Sequence, residues 1–135
     1  MSGSSSKEAD APYWAALAEG HLEMPQCASC GIWHWPAVWR CGECGTWNPT
    51  WRTVPAAGEV FSWTRTWHPF AGTEAIGTPF VTVIVSISAA GDRRLMGLLD
   101  PADSEIAIGD RVIGAIGSVT YGDRVVPTIK WRRAA

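Results

Sequence analysis

Two Cys-x-x-Cys-Gly units, Cys27-Ala-Ser-Cys30-Gly31 and Cys41-Gly-Glu-Cys44-Gly45, constrain this chain more than any other feature. Two residues between cysteines let one tight turn aim both sulfurs at a single point. The glycine after each pair lets the backbone bend so that its amides face those sulfurs. The gap from Cys30 to Cys41 is long enough for a hairpin to bring the second pair back to the first. Four thiolates at tetrahedral angles suit Zn²⁺, so one zinc per chain is predicted on Cys27, Cys30, Cys41 and Cys44. Four protein ligands leave no position for water or substrate, which makes such an ion structural. In small zinc modules the ion contributes on the order of 10–16 kcal/mol to folding.

The same donor set accepts iron in a rubredoxin-like site, although rubredoxins space their two pairs much more widely. A disulfide framework is not expected, because Met1 to Lys7 is polar and lacks the apolar core of an export signal. The reading is therefore a cytoplasmic chain with reduced thiols. Apolar runs such as Phe80 to Ile87 fall far short of the ~20 residues of a membrane span. Hydrophobic residues at 47% and charged residues at 18% describe a globular chain.

Composition also divides the 135 residues. Residues 1–11 read as a disordered tail, 12–22 as a lead-in helix, 23–54 as a zinc ribbon and 55–133 as a barrel domain. Asp10 stands at the helix N-cap, Pro12 in its first turn, and Gly20 at its end. Beyond Gly58, five strand-like runs follow: Gly58–His68, Phe80–Ser88, Arg93–Leu99, Arg111–Ile116 and Arg124–Trp131. Gly-Asp-Arg precedes three of them, at 91–93, 109–111 and 122–124, as a turn followed by a solvated strand start. The fold class is thus mainly β, with an N-terminal helix, a rubredoxin-like zinc ribbon and a five-stranded OB-fold barrel.

Nine tryptophans are far more than a metal ribbon can bury. Trp33 and Trp35 are expected to pack on the barrel or to anchor a partner. In the first barrel strand, Phe61, Trp63, Arg65 and Trp67 are expected to line one face. Aromatic planes around a guanidinium suit a nucleotide with phosphates or a protein surface. The loop from His68 to Pro79 lacks strand character and is expected to contact a partner or an acyl chain.

The order of these features resembles one family, the acyl-CoA-associated proteins with a rubredoxin-like zinc ribbon followed by an OB-fold domain. The resemblance runs over about residues 12–131. Its carriers are Tyr13 to Leu22, the two Cys pairs with His34-Trp35-Pro36 between them, Gly58 to Thr64, Thr78 to Val81 and Ile108 to Val112. The chain departs from the family pattern at Ala37 and Gly42, where prolines are frequent, and at Lys130-Trp131-Arg132, where Phe-Arg-Pro is common.

The resemblance implies an accessory subunit of an acyl-CoA enzyme, either thiolase-like, a lipid-transfer-protein-like aldolase or a hydratase, in lipid, steroid or aromatic degradation. Trp63, Arg65 and Trp67 would contact acyl-CoA, with Arg65 on a coenzyme A phosphate. A symmetric partner dimer would give a two-plus-two hetero-oligomer. No catalytic residue is expected in this chain, since all four cysteines are committed to metal. The alternative is a zinc-ribbon/OB nucleic-acid binder. Charge speaks against it: residues 59–135 carry eight basic and eight acidic side chains, too balanced for a groove that tracks phosphates.

Overall fold

A computed structural model describes residues 8–134, so most of the expected tail lies outside the described residues. The helix, α1, spans Ala11–Ala18. It is shorter than the expected 12–22 because Gly20 turns with φ 94° and Leu22 already belongs to a strand. Asp10 occupies the N-cap position, but its side chain caps no backbone N–H. Instead its carboxylate accepts the Trp14 indole N–H at 3.1 Å, one turn further on.

Two short strands, β1 (Leu22–Gln26) and β2 (Thr50–Val54), pair antiparallel and form the base of the ribbon. Five more build the barrel: β3 (Ala57–Thr66), β4 (Phe80–Ile87), β5 (Arg93–Leu99), β6 (Arg111–Tyr121) and β7 (Arg124–Arg133). They close in the order β3-β4-β5-β7-β6, with β6 returning to β3. Among the described residues the β5–β7 pair alone is parallel. This is the five-stranded barrel of the OB type. Each Gly-Asp-Arg sits where a turn was expected, with Arg93, Arg111 and Arg124 opening β5, β6 and β7. The three glycines all have positive φ, at 63°, 94° and 64°.

The strict alternation in β4 places Val81, Val83, Val85 and Ile87 wholly inside. β3 serves both β4 and β6, and Gly58 stands at the crossing. A Cβ there would lie 2.1 Å from the Ser86 carbonyl oxygen, so only glycine permits the approach. Trp131 fills the middle of the barrel with no exposed surface. It lies against Gly97 and Gly114, where added methyl carbons would come within 2.7 and 3.1 Å of its ring.

Among the described residues one core runs through helix, ribbon and barrel. Tyr13 and Leu17 from α1, Leu22 and Met24 from β1 and Val54 from β2 belong to the same cluster as the barrel valines. Trp33 and Trp35 are half-buried against it, and Tyr13 contacts the Trp35 ring at 4.6 Å between centroids. Both indoles thus pack on the chain's own core with part of their surface left exposed. The large aromatics left in solvent are Trp39, Trp47, Trp67, Phe61 and Phe70. No helix among the described residues is long and apolar enough to cross a membrane.

Candidate functional site

The two Cys pairs fold as copies of one turn. Cys27 N–H donates to Ile32 O at 2.8 Å and Gly31 N–H to Cys27 O at 3.1 Å. In the second turn Cys41 N–H donates to Thr46 O at 2.9 Å and Gly45 N–H to Cys41 O at 2.9 Å. Gly31 and Gly45 both adopt left-handed φ, 81° and 80°. The residue before each pair adds a brace that sequence reasoning missed. Gln26 Nε2 donates to Gly31 O and Arg40 Nε to Gly45 O, each at 3.0 Å.

This geometry gathers all four sulfurs within 4.8 Å of one another. Cys27 Sγ lies 3.5 Å from Cys44 Sγ, and Cys30 Sγ lies 3.6 Å from Cys41 Sγ. A tetrahedron with zinc–sulfur arms of about 2.3 Å has edges of about 3.8 Å, so the spacing fits a single ion. The thiols differ in how readily they ionise. Backbone N–H groups of Cys30 and Ser29 hold the Cys27 thiol down at about 6. The Thr46 hydroxyl and N–H lower Cys44. Cys30 receives an N–H from Ile32, yet desolvation and its bonds to the other sulfurs push it up to about 12. Four thiolates this close repel one another, and a dication at their centre removes the conflict.

A second feature opens at the far end of β3. Trp63, Arg65 and Trp67, the three residues singled out as ligand contacts, come together there in a cleft of about 590 Å³. Trp63 pairs with Val83 and Arg65 with Val81, so both extend from the barrel's inner face. The Arg65 guanidinium lies 5.3 Å from the Trp63 ring centre and donates to Ser104 O at 3.4 Å. Trp67 lies just past the end of β3 and is 70% exposed.

Phe61 does not join them. A bulge between Val60 and Ser62 breaks the alternation. Phe61 lies under the Arg94 guanidinium instead, 3.7 Å from the ring centre. The opposite wall comes from the β5–β6 connection, with Asp103, Ser104, Glu105 and Ile106, and Arg133 closes one side. Turn chemistry in the sequence marks that connection as a loop, but nothing there shows that it faces β3. The loop after Trp67 contributes Pro79 to the cleft. It also holds local turns, with Thr73 Oγ1 donating to Phe70 O at 2.6 Å.

Fold and site together define a class: a rubredoxin-like zinc ribbon carried on an OB-type barrel. Residues 14–46 match the family model described as "ChsH2, rubredoxin-like zinc ribbon domain". Among solved structures, "Ltp2-ChsH2(DUF35) aldolase" matches with TM-score 0.81 and 21% identity, covering 100% of each chain. A DUF35-family protein of unknown function from Sulfolobus solfataricus matches with TM-score 0.60 and 12% identity, over 95% of this chain and 87% of that one. No curated protein matches. The matches bear out the resemblance read from the sequence, in the ribbon and in the ribbon-plus-barrel fold.

Proposed function

We propose that this chain is a non-catalytic accessory subunit of an acyl-CoA aldolase complex, carrying one structural zinc on Cys27, Cys30, Cys41 and Cys44. The observation that carries the reading is the end-to-end likeness, TM-score 0.81, to a chain whose name joins a ribbon-family protein to an aldolase. The family match over residues 14–46 supports it from sequence. The site chemistry agrees: a four-thiolate centre has no open coordination position, and all four thiols are taken up by it. In this reading the partner is a lipid-transfer-protein-like or thiolase-like enzyme of lipid, steroid or aromatic degradation. It supplies the acid–base groups, and the assembly is a two-plus-two heteromer.

The zinc would hold the two turns together and so fix the ribbon on the shared core. The cleft lined by Trp63, Arg65 and Trp67 would contact the acyl-CoA substrate. Exposed Trp39 and Trp47, in place of Trp33 and Trp35, are the ribbon's candidates for the partner interface. Size-exclusion chromatography of the chain co-expressed with a lipid-transfer-protein-like acyl-CoA aldolase from the same organism tests the reading. Co-migration is expected, and Trp47→Ala should weaken it while zinc is retained. Independent migration contradicts it.

A further inference from the structure

We infer that the cleft at the end of β3 receives the uncharged acyl–pantetheine arm of a thioester and turns away its phosphorylated nucleotide end. The inference rests on the acyl-CoA reading above and specifies which part of that ligand the site takes. It also changes the role expected of Arg65, from a phosphate contact to a donor toward a carbonyl oxygen.

The charges around the cleft carry the argument. Of its two guanidiniums, that of Arg133 is tied to Asp110, Nε to Oδ2 at 3.3 Å. The same carboxylate oxygen accepts the Ala107 N–H at 2.9 Å, which holds the β5–β6 connection in place. Arg65 forms no ion pair among the described residues. Asp103 and Glu105, both exposed, line the same cleft and also lack ion-pair partners there. Two free carboxylates therefore face one free guanidinium.

A phosphate monoester or pyrophosphate entering that space would meet more negative charge than positive. Amide and thioester oxygens carry no net charge and are not repelled. Arg65 has five N–H donors, of which one is engaged at 3.4 Å by the Ser104 carbonyl, so it can still donate to such an oxygen. Trp63, Trp67, Pro79 and Ile106 supply apolar wall for an alkyl chain. The volume of about 590 Å³ lies within the range of small-molecule sites. The nucleotide end then lies outside the cleft, in water or on the partner enzyme.

Calorimetry on the full chain with decanoyl-pantetheine, decanoyl-CoA and adenosine 3′,5′-bisphosphate tests this. Decanoyl-CoA should bind no more tightly than decanoyl-pantetheine, and added salt should not weaken its binding. The bisphosphate should not compete with either. Asp103→Asn with Glu105→Gln should tighten decanoyl-CoA about threefold or more while leaving decanoyl-pantetheine unchanged. Arg65→Gln should weaken both alike. Competition by the bisphosphate, or loss of decanoyl-CoA alone in Arg65→Gln, would assign the cleft to the nucleotide and overturn this inference while sparing the acyl-CoA reading. Failure of both thioesters to bind a folded, metal-loaded chain would overturn the two together.

Discussion

Arg93, the first residue of β5, donates its Nε–H to the backbone carbonyl of Trp33 in the ribbon at 2.7 Å. Two residues earlier, Gly91 turns beneath the same indole with φ 63°, and a Cβ there would lie 2.9 Å from Trp33 Cδ1. The ribbon is thus seated on the barrel by one charge-assisted bond and one close approach that only glycine allows. Gly91→Val should destabilise the chain by about 1–3 kcal/mol through overpacking and backbone strain. Arg93→Ala should cost about 1–2 kcal/mol, because the bond is charge-assisted but exposed. Thermal melts of the two variants check both values.

Trp131 and its glycine neighbours make a separate case. The indole has no exposed surface, and Gly97 leaves no room for a side chain beside it. Trp131→Ala should cost about 3–5 kcal/mol, the usual scale for deleting a buried aromatic side chain. Trp131→Phe should cost less. Among the described residues the indole Nε1 has no hydrogen-bond partner, so its loss leaves no acceptor stranded. Denaturant melts of the two variants would measure the order.

Burial pushes the Tyr13 phenol up to about 12, and the nearby Asp10 carboxylate adds to the shift. The folded state therefore favours the neutral phenol. The resulting stabilisation is fully present below pH 10 and is lost as pH rises from about 10 toward 12. It amounts to on the order of 2 kcal/mol. Tyr13→Phe should flatten that alkaline loss while changing stability little at neutral pH. Chemical denaturation at a series of alkaline pH values would show the difference.

The metal centre should be coupled to the barrel through the shared core. Trp33, which follows the first Cys turn, and Met24 of β1 both belong to or pack against that core. Cys30→Ser should abolish stoichiometric zinc and lower the melting temperature of the whole chain. A strong chelator should do the same to the unmodified protein. Elemental analysis paired with circular dichroism melts tests this. A melt unchanged by metal removal would refute the coupling.

The ribbon and the barrel were legible in the sequence for different reasons. Cys spacing is a direct imprint of ligand geometry, so the four sulfurs converge as expected. The alternation Val81-x-Val83-x-Val85-x-Ile87 marks a half-buried strand in the same way, and β4 follows it closely. The glycines hid part of β6. Gly114 and Gly117 interrupt the apolar pattern, so the strand reads as ending near Ile116 but continues to Tyr121. The bulge beside Phe61 was equally hidden, because one extra residue flips a face without changing composition. The cleft was half legible. Trp63, Arg65 and Trp67 stand out in sequence, whereas Asp103, Glu105 and Arg133 reach them only through the closure of the barrel.

The most direct test of the accessory-subunit account is an aldol-cleavage assay on an acyl-CoA substrate, comparing a lipid-transfer-protein-like aldolase alone, this chain alone, and the two co-purified. The account predicts no turnover by this chain, weak or unstable activity from the aldolase alone, and full activity from the co-purified pair. Full activity of the aldolase in the absence of this chain, with no complex recovered, would contradict it.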